Sequence, residues 1–299
     1  MSKIGIIGVG NVGSTLAHTL IERHHVTDLY LFDQKPERCL AEQQDLICAQ
    51  IGQNTTATIH IGEKYELAQL DIVVFSIGNI ALLNGSGSRF DELEFTKKAA
   101  KEWAAHLVEY HFKGILLVIT NPCDVITHYM QKLTNFDPKR VIGTGTSLDT
   151  ARLQHALSLA FEVAPNTIRA LVLGEHGATQ FVPWDYVKSI NPQLDFGKID
   201  LEKLAHTALM IGETTFTGKG YTSFGIANQA DQLIGHLTTS KTVFFPISAY
   251  SPYDEIYIGQ YAALNCTGII ETFEIPLNEK EKQAYQRSVT WIKEMATHI

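Results

Sequence analysis

The run Lys3-Ile4-Gly5-Ile6-Ile7-Gly8-Val9-Gly10-Asn11-Val12-Gly13 decides how the rest of this 299-residue chain is read. A short β-rich stretch ends in G-x-G-x-x-G, and a helical pattern follows to about Arg23. Gly8 permits a tight turn, Gly10 lets the backbone approach a pyrophosphate, and Gly13 lets helix and strand pack closely. The free N–H groups of the helix start, at Asn11 and Val12, face the same anion. The next apolar run, 28–32, ends at Asp33, twenty residues beyond Gly13. An acidic side chain there accepts hydrogen bonds from ribose hydroxyls and repels a 2′-phosphate, which favours NAD over NADP. Taken alone, Asp33 is equally a helix cap ahead of Pro36; the glycine loop tips the reading.

Further apolar runs at 72–76 and 115–119 end at Ile77-Gly78 and Thr120-Asn121-Pro122, and a fifth strand opens at Val141. Continuous apolar runs fit parallel strands buried on both faces. Helical segments near 36–51, 88–111 and 123–133 separate them, which predicts a doubly wound parallel α/β sheet of the Rossmann type. Ligands in such sheets lie beyond the carboxyl ends of the strands. The expected cofactor contacts are therefore Gly8, Gly10, Asn11, Val12, Gly13, Asp33, Ser76, Gly78, Asn79, Ile119 and Asn121. Beyond residue 143 the alternation is lost. Helices are expected near 198–217 and 278–297 and strands near 242–249, 255–261 and 267–274, an α+β half that carries the substrate. The expected domains are 1–143 and 144–299.

A net charge of −8 argues against affinity for nucleic acid or anionic membrane. Cys39, Cys48, Cys123 and Cys266 are scattered and lack metal-ligand spacing, as in a reducing compartment. The N-terminus lacks the apolar length of a secretory signal, and the longest apolar runs are strand-length, so a cytoplasmic protein is expected.

Three stretches bear chemistry. Leu171-Val172-Leu173-Gly174-Glu175-His176-Gly177 resembles a strand that delivers a histidine between glycines, where it can exchange a proton near neutral pH. In isolation such a turn is an ordinary surface feature. Leu148-Asp149-Thr150-Ala151-Arg152 opens a helix and sets Asp149 and Arg152 on one face. They form either a solvated ion pair or a histidine-orienting carboxylate beside a carboxylate-binding fork. Residues 79–90 combine a Gly/Ser-rich hinge, an apolar Ile80-Ala81-Leu82-Leu83 patch and one arginine, Arg89, at a helix start. This is either a plain surface loop or a lid that brings positive charge to a substrate on closing.

With these residues assembled, the chain resembles the L-lactate/L-malate dehydrogenase superfamily, and within it most closely the L-2-hydroxyisocaproate dehydrogenases of lactic acid bacteria. The resemblance rests on Gly8-x-Gly10-x-x-Gly13, Gly78-Asn79-Ile80, Asn121-Pro122-x-Asp124, the stretch from Gly143 to Arg152, Gly174-Glu175-His176-Gly177 and Gly218-Lys219-Gly220-Tyr221-Thr222-Ser223. It implies His176 as proton donor and acceptor, Asp149 as its orienting carboxylate and Arg152 as the substrate-carboxylate clamp. Arg89 would polarise the carbonyl, Asn121 would touch both substrate and cofactor, and Thr222 and Ile226 would line the substrate pocket. It further implies NAD, a small 2-oxo or 2-hydroxy acid, and a homotetramer, or failing that a dimer.

The lid departs from the family's malate and lactate patterns. Arg89 is its only basic residue, and the early lid positions, Leu82 and Leu83 among them, are apolar. Such a lid disfavours a dicarboxylate. It favours longer 2-oxo acids, by roughly 0.8 kcal/mol for each buried CH₂. The expectation is NAD-dependent reduction of larger aliphatic or aromatic 2-oxo acids to L-2-hydroxy acids. An L-lactate dehydrogenase with an atypical lid is the alternative, and a non-catalytic NAD-binding sensor a second. Gln154 and Arg169 stand where sugar-bisphosphate-activated relatives carry arginine and histidine, so activation of that kind is not expected.

Overall fold

The computed structural model describes residues 2–79, 82 and 89–299, with the side chains of 89–91 outside that description. The first half alternates β1 (Lys3–Ile7), α1 (Asn11–Glu22), β2 (Asp28–Phe32), α2 (Pro36–Ala49), β3 (Thr58–Ile61) and β4 (Ile72–Phe75). It continues through α3 (Arg89–Glu109), β5 (Ile115–Val118), α4 (Cys123–Thr134) and β6 (Val141–Gly143). Then come α5 (Ser147–Ala160), α6 (Trp184–Ser189), α7 (Leu201–Lys219), α8 (Phe224–Leu237), β7 (Val243–Ser251), β8 (Ile256–Asn265), β9 (Gly268–Phe273) and α9 (Glu279–Ala296).

Among the described residues the strands form one sheet in the order β3-β2-β1-β4-β5-β6-β7-β8-β9. The first six pair in parallel. From β6 onward the pairing turns antiparallel, and β7, β8 and β9 form a meander. The sheet is thus doubly wound in its first half and carries an antiparallel extension supplied by the second.

Alternate residues of the central strands feed two cores. Ile4, Ile6, Leu29, Leu31, Val74 and Leu117 pack with buried residues of α1 and α8. Ile7, Tyr30, Phe32, Val73, Phe75 and Val118 pack with α3, α4 and α9. Both faces are covered, which is why these strands are apolar throughout. A third core joins α5 and α7 to Leu171, Val172 and Leu173.

Two elements differ from the sequence expectation. β3, which the apolar runs do not reveal, is the outermost strand and has exposed ends, so its composition lacks the continuous burial signal. The apolar run at 171–173 is not a strand. It makes isolated bridges, Leu173 to Phe181 and Gly174 to Gly259, because its side chains serve the third core while its backbone is shared between two partners.

Candidate active site

The glycine loop is built around contacts that only glycine allows. Gly8 has φ +91°, and a Cβ on it would lie 2.9 Å from the Ser76 carbonyl oxygen. A Cβ on Gly13 would stand 2.0 Å from the Gly8 carbonyl oxygen. Gly10 is the opposite case, with no atom within 4 Å of the Cβ position. Its open side and the uncapped start of α1, with no acidic residue in the first turn, leave room and donors for a pyrophosphate. The residues present therefore fit a dinucleotide.

Asp33, the residue expected to receive a ribose, is held locally. Its Oδ2 accepts from the Val9 main-chain N–H (3.1 Å) and its Oδ1 from that of Lys35 (3.1 Å). An ionised carboxylate offers about four acceptor positions, so two hydroxyls can still be received. Ser76, Gly78 and Asn79 follow β4, and Ile119 and Asn121 follow β5, at the same end of the sheet. Thr120 ties these exits together, its hydroxyl donating to the carbonyls of Phe75 (3.2 Å) and Ile77 (2.8 Å). Ile119 is buried in the same apolar cluster as Val9, and Val12 packs against that cluster.

The second half of the site rests on the first turn of α5. The Thr146 hydroxyl donates to the Val172 carbonyl (2.6 Å), and the Val172 N–H donates to the Thr150 hydroxyl (3.0 Å). These bonds fasten α5 to the segment that ends in His176. His176 Nδ1 lies 2.5 Å from Asp149 Oδ2, and Arg152 donates from a terminal guanidinium nitrogen to Asp149 Oδ1 at 3.1 Å. Only 3% of the Asp149 side chain and 16% of the Arg152 side chain are exposed, which rules out a solvated surface pair. The Gln180 side-chain amide lies against both Asp149 oxygens at 3.1 Å, and its nitrogen is assigned to that side because only a donor suits two carboxylate oxygens. Burial works against ionisation of Asp149, but His176 and Arg152, by charge and hydrogen bond, outweigh it. They hold the carboxyl below its ordinary value of 3.8.

The histidine loop is fixed from its other side too. Its main-chain N–H donates to Asp124 Oδ2 (2.8 Å), and Asp124 Oδ1 accepts from the Ser248 hydroxyl at 2.5 Å. Gly174 (φ +91°) leaves no room for a Cβ, which would sit 2.5 Å from Ser288 Oγ. The buried Glu175 carboxylate closes the turn by accepting from the Thr179 N–H (3.0 Å) and hydroxyl (2.9 Å).

The structure thus gathers Asp149, Arg152 and His176 into one cluster, and Asn121 stands three residues before Asp124, which holds the histidine loop. Thr222 precedes α8 and Ile226 lies in its first turn. That turn packs on Leu148, beside Asp149, at Gly225, where a Cβ would meet the leucine side chain at 2.8 Å. Leu82 is half-buried, whereas Leu83 and the Arg89 side chain lie outside the described residues.

Several participants escape the sequence reading. Gly212 in α7 lets the Arg152 guanidinium lie against the helix, since a Cβ there would be 2.8 Å from Cζ. A glycine in mid-helix is the signal that could have found it. Gln180, Thr120 and Ser248 give no such signal. Asp124 belongs to a recognised motif, but its partner His176 is 52 residues away.

Comparison with known proteins points to one family. The family model described as lactate/malate dehydrogenase, NAD binding domain, matches residues 2–143. That described as lactate/malate dehydrogenase, alpha/beta C-terminal domain, matches 146–298. The chain is 34% identical to L-lactate dehydrogenase 2 of Listeria innocua serovar 6a over 98% of this chain and 97% of that protein. It is 31% identical to L-lactate dehydrogenase of Fusobacterium nucleatum, over 97% and 95%. Among solved structures, a lactate dehydrogenase from a Medee basin deep-sea metagenome library superposes with TM-score 0.90 at 27% identity, over 99% of this chain and 98% of the other.

Proposed function

The chain belongs to the lactate/malate dehydrogenase family, and from that premise we propose that it reduces 2-oxo acids with larger aliphatic or aromatic side chains to L-2-hydroxy acids, as the L-2-hydroxyisocaproate dehydrogenases do. The observation that carries the chemistry is the half-buried His176 on the buried Asp149 carboxylate, with Arg152 on the same carboxylate. Bound NADH supplies the hydride. Arg152 receives the substrate carboxylate in its planar fork, against the groove that Gly212 leaves in α7. His176 keeps Nδ1 on Asp149 and gives its proton from Nε2 to the carbonyl oxygen. Asp149, ionised at neutral pH, holds the ring in that tautomer and offsets the charge of the imidazolium. In this proposal Asn121 hydrogen-bonds the substrate oxygen, and Arg89 polarises the carbonyl. Leu82, Leu83, Thr222 and Ile226 receive the side chain. A cytoplasmic homotetramer, or a dimer, with domains 1–143 and 144–299 belongs to the same proposal.

The preference for long side chains rests on the apolar lid sequence. The L-lactate dehydrogenase names of the relatives favour a second reading, pyruvate as substrate. Initial rates of NADH oxidation with pyruvate and 2-oxoisocaproate separate the two. A kcat/KM at least tenfold higher for 2-oxoisocaproate is expected, from about 0.8 kcal/mol per added buried carbon. A preference for pyruvate would refute the lid argument and leave the reaction class intact. His176→Ala should lower turnover by ~10²–10⁴-fold with NADH binding retained.

A further inference from the structure

Asp124 is a buried carboxylate whose oxygens take the His176 main-chain N–H and the Ser248 hydroxyl. Its residue is 2% exposed. Burying a carboxylate this way is costly, and an amide could satisfy the same two groups at lower cost. Asparagine would accept from the His176 N–H and donate to Ser248 Oγ. Hydrogen bonding alone therefore does not account for a charge at this position.

We infer that Asp124 is a positioning residue for His176, anchoring its backbone and placing a second negative charge, beside that of Asp149, to support the protonated imidazole. The inference rests on the assignment of His176 as proton donor. Asp124 sits in the first turn of α4, three residues after Asn121, so it joins the carboxyl end of β5 to the histidine loop and to β7. The groups facing it are the Ser248 hydroxyl from β7, and Glu175 and His176 from the loop. The adjacent Cys123 thiol, pushed up to about 12 by burial, is neutral. Facing His176 from α5 are Asp149, with Arg152 on its other oxygen, and Gln180 reaches the same carboxylate. Burial pushes the Asp124 carboxyl up to about 6, while Ser248 and His176 hold it down against that. It is mostly ionised at neutral pH and loses its charge in the mildly acidic range.

The test is Asp124→Asn, followed in two ways on the full-length protein. With ¹⁵N-histidine labelling and His176→Ala for assignment, the His176 ring titration midpoint should fall by about half to one pH unit, the size of a nearby partly screened charge. With NADH and a 2-oxo acid, kcat/KM should fall about three- to tenfold above about pH 7.5. It should recover toward wild type near pH 5.5, with the Kd for NADH unchanged. An unshifted His176 midpoint overturns the inference, as does a loss of activity equal at all pH values, which a purely structural role would give. Failure of the variant to fold also overturns it, since the amide can make both hydrogen bonds. Ser248→Ala supplies the control that keeps the charge. Its His176 midpoint should stay within about 0.3 pH units of wild type, and a drop as large as that of Asp124→Asn would assign the effect to geometry instead. Absence of 2-oxo acid reduction by the wild type would refute the proposed reaction, and the ring titration would still decide the role of Asp124.

Discussion

At the scale of single residues, two buried carboxylates beside His176 respond to pH in opposite directions. The Asp149 carboxyl is held below its ordinary value, so its contribution to stability is present above about pH 4 and is lost as pH falls through the folded value. Asp124 goes the other way. Its carboxyl rises from 3.8 to about 6 in the fold. The folded state then binds the proton more tightly than the unfolded one, and stability declines as pH rises between those values and is flat above. At about 1.36 kcal/mol per pH unit the full cost is on the order of 3 kcal/mol. Asp124→Asn should therefore melt a few degrees higher than wild type at pH 7–8, with the difference shrinking as pH falls below about 6. Melting curves across that range check it, and a variant that is less stable at neutral pH would contradict the sign. A stabilising change that slows the reaction is what a charge kept for function predicts.

At the scale of elements, α7 shows how one position can set a clamp. Replacing a mid-helix glycine with alanine ordinarily adds up to about 1 kcal/mol of helix stability. At Gly212 the added Cβ would meet Arg152 at Cζ (2.8 Å) and both terminal nitrogens, the movable end of a long side chain. The helix should tolerate Gly212→Ala while the guanidinium is displaced. We expect KM for the 2-oxo acid to rise about tenfold or more, with the NADH Kd and melting temperature held or improved. An unchanged KM would show that Arg152 does not need that groove. The same helix marks the limit of what local sequence can tell. Gly8, Gly10, Gly13, Asp33, Asp149, Arg152 and His176 lie in short motifs whose spacing implies their geometry. Gly212, Gln180 and Ser248 matter only because α7, the segment after His176, and β7 converge on α5 and α4. The strand expected at 171–173 fails for a related reason, since an apolar run indicates burial and not which partner takes its hydrogen bonds. The edge strand β3 was hidden because exposure had removed the apolar signal.

At the scale of the whole molecule, apolar side chains left in solvent bear on the expected homo-oligomer. On α2, Cys39 and Leu46 face the core, whereas Leu40 and Ile47 are 51% and 43% exposed. Seven residues apart, those two share one stripe of the helix, and Ile51, just past its end, is 80% exposed. Leu159 on α5 and Phe224 at the start of α8 are 63% and 74% exposed. In the proposed homo-oligomer, this apolar stripe, on a helix whose other side already packs on the sheet, is the surface expected to meet another chain. The elements concerned also bear on the site, since α5 holds Asp149 and Arg152 and the first turn of α8 holds Ile226. Covering them in an assembly would steady the substrate end of the crevice. Sedimentation velocity should give a mass of two or four chains for the wild type. The double change Leu40→Glu and Ile47→Glu should release a smaller species, with activity falling on dilution as the assembly dissociates. A wild type that sediments as a monomer at micromolar concentration, fully active, would remove the oligomer and show that the Asp149–Arg152–His176 cluster is complete within one chain.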